Sequence, residues 1–248
     1  MIKDAFAALH TGADPLVLFN IWDAGSAKIV AEAGATAIAT GSLSLAGAQG
    51  FEDGEQIPFD VLLAIAERIA GAVRLPLSVD IESGYADNPE SLSANAQALH
   101  QAGAVGCNLE DQLIGSEALR EPAEQAERIA AVDEVGLFVN ARTDLFLRHL
   151  MRGDDPNQDE LVESAIERAS LYREAGAGCL FVPGLSDPDL IARLCRAVDL
   201  PVNVMRLPGM ISNADLGNLG VARISYGPGP WRDAMRGLAD AAHDALSS

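Results

Sequence analysis

The chain has 248 residues, enough to bury a substantial core, with 49% apolar and 21% charged residues, an ordinary globular composition. Its formal charge of −19 argues against nucleic acid or an anionic membrane as partner, since both select basic surfaces. Three scattered cysteines, Cys107, Cys179 and Cys195, fit reduced thiols rather than a disulfide frame or a zinc site.

The opening "MIKDAFAALHTGADP" lacks the apolar run of a signal peptide, and no stretch reaches the length of a membrane span, so a cytoplasmic protein is expected. From there, short apolar runs alternate with helical segments. Strands are expected at 16–21, 36–40, 75–81, 104–110, 136–142, 178–183, 201–205 and 221–225. Helices are expected at 24–34, 59–73, 89–102, 122–133, 158–175, 187–198, 212–219 and 230–246. "AEAGA", "HQAGA" and "REAGA" each place a glycine just past a helix and before the next strand. Eight strands alternating with eight helices match a (β/α)₈ TIM barrel formed by a single domain over 1–248. A doubly wound sheet is the alternative, but no G-x-G-x-x-G follows the first strand.

Side chains alternate faces along a strand. In "LSVDIE", Leu77, Val79 and Ile81 oppose Ser78, Asp80 and Glu82. In "VGCNLE", Gly106, Asn108 and Glu110 share the polar face; in "LFVNAR" it is Phe138, Asn140 and Arg142; in "PVNVM" it is Asn203. In a barrel these faces point inward and their C-terminal residues meet at the mouth, where barrel enzymes place their active sites. Asp80, Glu82, Glu110 and Arg142 would then converge.

Clustered carboxylates repel, and a divalent cation offsets that repulsion. Oxygen ligands without clustered His or Cys suggest Mg²⁺ or Mn²⁺. Arg142, always charged and able to bind two oxygens at once, suits a carboxylate. The expected substrate is a small anionic carboxylate bound to the metal. The only lysines, Lys3 and Lys28, do not lie at strand ends, which excludes a Schiff-base aldolase mechanism in the mouth.

The ordered set "FNIWDAGSAKIVAEAGATAIATGS", "SVDIESGYAD", "CNLEDQ", "VNARTD", "FVPG" and "PVNVM" resembles the isocitrate lyase/phosphoenolpyruvate mutase superfamily over essentially the whole chain. The resemblance implies a barrel whose C-terminal helix is exchanged between subunits of a homo-oligomer, a dimer or tetramer. It also implies Mg²⁺-dependent cleavage or formation of C–C or C–P bonds in 2-oxo or 2-hydroxy acids. Position by position it implies Asp53, Asp80, Glu82 and Glu110 around the metal, Asp53 acting through water. Gly41, Ser42 and Arg142 would hold the substrate, with Trp22 against it and Asn203 as a further contact. Ser42, Glu110 and Arg142 would take part in catalysis.

Two departures bear on the reaction. The lyases of the superfamily carry a Lys-Lys-Cys-Gly-His loop after the fourth strand, whereas residues 111–122 here read "DQLIGSEALREP". The phosphonate mutases carry an Asn-rich gate there and a histidine after the sixth strand, and this chain has neither. The acidic pair is also Asp/Glu where Asp/Asp is commoner. The expected activity is a C–C lyase acting through a metal-stabilised enolate. A C–P mutase or hydrolase, a 2-oxo diacid decarboxylase or hydrolase, and a non-catalytic oxo-acid binder are the alternatives. Residues 112–122 are expected to form a mobile lid, with Glu117, Glu121 and Tyr85 as candidate proton carriers.

Overall fold

A computed structural model describes residues 2–12 and 14–247. Eight parallel strands form the sheet: β1 (Leu16–Leu18), β2 (Ile38–Ala39), β3 (Leu77–Asp80), β4 (Gly106–Glu110), β5 (Phe138–Arg142), β6 (Cys179–Phe181), β7 (Val202–Met205) and β8 (Val221–Ser225). Their order is β1-β8-β7-β6-β5-β4-β3-β2. The remaining seam, between β1 and β2, closes through one parallel bridge, Ile21 to Thr40. The sheet is therefore the expected (β/α)₈ barrel.

Eleven helices accompany the strands among the described residues: α1 (Ile2–Ala7), α2 (Ala24–Glu32), α3 (Ser42–Ala48), α4 (Phe59–Ala72), α5 (Pro89–Gln101), α6 (Pro122–Asp133), α7 (Leu145–Arg152), α8 (Asp159–Glu174), α9 (Pro188–Ala197), α10 (Asn213–Asn218) and α11 (Gly229–Leu246). Their starts are encoded locally. Asp23, Asn88, Asp187 and Ser212 each accept a backbone N–H from the first turn of α2, α5, α9 and α10. Proline opens α5, α6 and α9, where a missing N–H leaves no bond unmade. None of these helices is long and apolar enough to cross a membrane.

The alternation of the strands sorts the core into two clusters. Val79, Cys107, Leu109, Val139, Leu180, Val204 and Ile224 pack outward against the helices in the larger one. The smaller one lies within the barrel and holds Phe6, Leu16, Leu18, Ala39, Phe138 and Cys179. Phe6 and His10 come from the N-terminal segment. The Phe6 ring meets Phe138 edge-on at 5.2 Å, and His10 stacks on Phe138 at 4.5 Å. Gly106 leaves the room this needs: a Cβ there would sit 3.3 Å from the Phe6 ring and 2.7 Å from the Phe138 carbonyl oxygen. Three aromatic rings thus close the N-terminal end, and burial pushes the His10 pKa down to about 3.

Candidate active site

At the opposite end the strand termini and following loops enclose a cavity of about 580 Å³. Gly41, Ser42, Asp53, Asp80, Asn108, Arg142 and Asp144 line it from the loops and strand ends. Glu117 on the loop after β4, Arg148 and Arg152 on α7, and Arg232 on α11 line it from the outer side. Asp53, Asp80, Arg142, Gly41 and Ser42 thus come together at one mouth.

Asp80 is the last residue of β3 and is buried. Burial raises its pKa, opposed chiefly by the Arg142 charge, while Asp53 adds to the rise. Its carboxylate accepts the Glu82 backbone N–H and an Asn108 side-chain hydrogen bond. No ion pair within salt-bridge reach neutralises it among the described residues.

Glu110 and Arg142 end neighbouring strands in matched register. Arg142 Nη1 lies 2.8 Å from Glu110, while Nε and Nη2 donate to Asp144 at 2.6 and 2.8 Å. Glu110 is held above the ordinary carboxylate range, because burial and the nearby Asp144, Asp80 and Glu82 outweigh Arg142. Asp144, which the sequence reading did not single out, therefore shares the guanidinium with Glu110. Three of the five guanidinium N–H donors are engaged, leaving two for a ligand.

Glu82 departs from simple alternation. β3 stops at Asp80, and Glu82 adopts φ 51°, in the left-handed region. Glu55 and Tyr85 do the same at 57° and 54°. Non-glycine residues there cost on the order of 1–3 kcal/mol each unless the surroundings hold them. The three hold one another. Glu82 accepts the Glu55 N–H at 2.9 Å and the Tyr85 hydroxyl at 3.4 Å, and Glu55 accepts from Tyr85 N–H and the Ser83 hydroxyl. Beneath them the buried Arg128 donates to the carbonyls of Ser83 and Ala86. Burial, helped by Asp53, Asp80 and Glu55, raises the Glu82 pKa to about 8. Glu82 and Glu110 are set back from the cavity wall. No three His, Cys, Asp or Glu among the described residues gather around one point within metal-ligand reach.

Below the mouth lies a polar layer. Asn108 Oδ1 accepts from Asn140 Nδ2 at 2.7 Å and Arg223 Nη2 at 3.2 Å. Arg223 is fully buried, its Nη1 has no hydrogen-bond partner among the described residues, and burial lowers its pKa to about 10. Asn203 is buried in this layer, exchanging hydrogen bonds with Ser225, and does not line the cavity. Trp22 is half-buried after β1 and also lies outside the lining.

Residues 112–119 form a small hairpin. Gln112 bridges Leu119, Leu113 N–H donates to the Ala118 carbonyl, and Gly115 turns at φ 76°. Arg148 Nη1 donates to the Glu117 carbonyl at 2.9 Å, and Arg152 Nη2 meets the Glu117 carboxylate at 2.7 Å. Of the three candidate proton carriers, only Glu117 lines the cavity.

A family model described as phosphoenolpyruvate phosphomutase matches residues 6–246. A Burkholderia cenocepacia J2315 protein of known structure, provisionally named a phosphonomutase, is 46% identical, with a TM-score of 0.92 over 97% of this chain and 98% of that one. The 2-methylisocitrate lyase of Escherichia coli K12 is 30% identical over 200 residues, 80% of this chain and 67% of that protein. The oxaloacetate decarboxylase of Chromohalobacter salexigens is 24% identical over 96% of this chain and 83% of that protein. The chain belongs to the isocitrate lyase/phosphoenolpyruvate mutase superfamily and is an enzyme of it.

Proposed function

We propose that this enzyme is a Mg²⁺-dependent lyase that breaks or forms a C–C bond beside the carbonyl or hydroxyl carbon of a 2-oxo or 2-hydroxy acid. The observation that carries this reading is Asp80, a buried carboxylate on the cavity wall with no Lys, Arg or His in ion-pair contact with it among the described residues. An unpaired buried carboxylate is costly, and a divalent cation in the cavity offsets that cost. The donor set fits Mg²⁺, which binds through one or two carboxylates and keeps several waters, better than a metal needing three close protein ligands. Asp80 would hold it directly, with Asp53, Glu82 and Glu110 acting through water. Bound there, it would supply Lewis-acid polarisation of the substrate oxygen and neutralise the charge that builds when the adjacent bond breaks.

The chain's own groups do the rest. The free donors of Arg142 and the Gly41–Ser42 turn hold the substrate carboxylate, and Asp144 and Glu110 keep the guanidinium aimed. Trp22 and Asn203 support the site from outside the cavity wall. The 112–122 segment closes over the mouth to exclude water, and Glu117 is the carboxylate placed to move a proton there. Loss of CO₂ from a 2-oxo diacid uses the same head-group contacts. The decarboxylase similarity over 96% of the chain favours it as the second reading.

A helix exchange between copies accompanies this proposal. The described part of α11 runs to Leu246 with Met235, Leu238 and Leu246 exposed. Outside β1, where a helix following β8 would complete the ring, an apolar groove is lined by Val17, Phe19, Ile29 and Val30. The α11 of a second copy fits that groove.

Isocitrate, methylisocitrate, dimethylmalate, oxaloacetate, citramalate and phosphonopyruvate, each assayed with Mg²⁺ and with EDTA, test the reading. Metal-dependent turnover of a C–C substrate is expected; turnover that survives EDTA would refute it.

A further inference from the structure

The outer wall of the cavity reverses the sign of the protein. The chain has 36 acidic residues against 17 basic ones. Yet Arg148, Arg152 and Arg232 line this wall, with Glu117 as the facing acid. Arg148 and Arg152 are four residues apart on α7 and so share a helix face. Neither is consumed by a permanent structural partner. Arg152 pairs with Glu117, whose side chain is 83% exposed, and among the described residues Arg148 hydrogen-bonds to the Glu117 carbonyl alone. Arg148 Nε is buried with no hydrogen-bond partner among the described residues, although it is a charge-bearing donor. Two arginines held beside a cavity by one solvent-facing lid residue are a poor stability device, because exposed ion pairs contribute little. They are well placed to bind a second anion.

We infer that Arg148 and Arg152 form a subsite for a second anionic terminus of the substrate, and that Glu117 occupies it when substrate is absent. The inference rests on the reading that Asp80 and Arg142 hold the 2-oxo acid head. The terminus taken there is a further carboxylate or a phosphonate beyond the 2-oxo or 2-hydroxy acid head. When that terminus enters, it displaces the Glu117 carboxylate from Arg152. The lid residue is then released towards the cavity only when a full-length substrate is bound, which couples recognition to closure.

The test compares ligands with one shared head. Pyruvate has the 2-oxo acid head alone, 2-oxoglutarate adds a distal carboxylate, and phosphonopyruvate adds a phosphonate. Their affinities are measured by calorimetry in excess Mg²⁺ on the full-length enzyme, Arg148→Met, Arg152→Met and Glu117→Gln. The better of the two dianions should bind about tenfold more tightly than pyruvate. Either arginine substitution should remove most of that advantage while leaving pyruvate affinity unchanged. Glu117→Gln should enlarge it. Which dianion is preferred assigns the terminus as carboxylate or phosphonate.

An advantage that survives both arginine substitutions overturns the inference, as does the absence of any advantage. Equal losses for pyruvate and the dianions also overturn it, since they would mean that the arginines only pin the lid. Failure of pyruvate itself to bind in a Mg²⁺-dependent way would instead sink the head-group reading, so the two failures are distinguishable.

Discussion

His10 should make this protein acid-sensitive in a way one substitution removes. The residue is buried among Phe6 and Phe138, and its pKa falls from 6.5 to about 3 through burial, with the Arg223 charge adding to the effect. The unfolded chain takes up a proton below pH 6.5, whereas the folded chain does not until about 3. The stability tied to neutral His10 is therefore intact above 6.5 and is lost as pH falls, at up to about 1.4 kcal/mol per pH unit. Near pH 5 the loss is roughly 2 kcal/mol. Asp80, Glu82, Glu110 and Asp111 have raised pKa values and contribute with the opposite sign, weakening the fold as pH rises through them. A single pH profile would mix the two. His10→Phe retains a stacked ring and removes the titration, so subtracting its profile cancels the carboxylates. Urea unfolding followed by circular dichroism near pH 8, 6.5 and 5 gives the difference. Relative to the variant, the wild type should weaken by about 2 kcal/mol between pH 8 and 5, with only about 0.4 kcal/mol of that above pH 6.5. A difference that does not change with pH, or that favours the wild type in acid, would refute the reasoning.

Three further outcomes are expected. Asp80→Asn should abolish the rise in Tm that Mg²⁺ gives the wild type and lower kcat by about 10³, while the apo protein remains at least as stable because the desolvated charge is gone. Arg128→Met should cost roughly 2–4 kcal/mol in denaturation, since the Ser83 and Ala86 carbonyls lose their donor, and should lower kcat by releasing the Glu55–Glu82–Tyr85 knot. Unchanged kcat with lowered stability would show that the knot does not position the site. If the C-terminal helix is exchanged between copies, the wild type should be an oligomer in light scattering and removing residues 234–248 should make it a monomer; a monomeric wild type, or an oligomer that survives the deletion, contradicts helix exchange.

Much of this was legible in the residues because the relevant signals are local. The eight strands and the eight helices that follow them show period and glycine stops, and each was found within a few residues of its place. Three helices, α1, α3 and α7, were not anticipated. They are short additions outside the strand–helix alternation, by which the equally short α10 was expected. Strand parity placed Asp80 and Arg142 at the mouth. It failed for Glu82 because alternation ends where the strand does, and the backbone turns left-handed two residues later. Asp144 lies two residues beyond Arg142 in a turn, where parity has no meaning. The Arg223–Asn108 contact spans 115 positions, and nothing local in either segment announces the other.

The ring closure by Phe6, His10 and Phe138 also determines how molecules pass through the enzyme. With the far end of the barrel filled, substrate and water share one doorway, beside the Glu117 hairpin. If the proposed cleavage holds, the fragment held by Asp80 would lie deeper and would leave only after the other had cleared the passage. Release would then be ordered, and the deeper fragment would be the one to compete with fresh substrate. A barrel open at both ends would have imposed no such sequence.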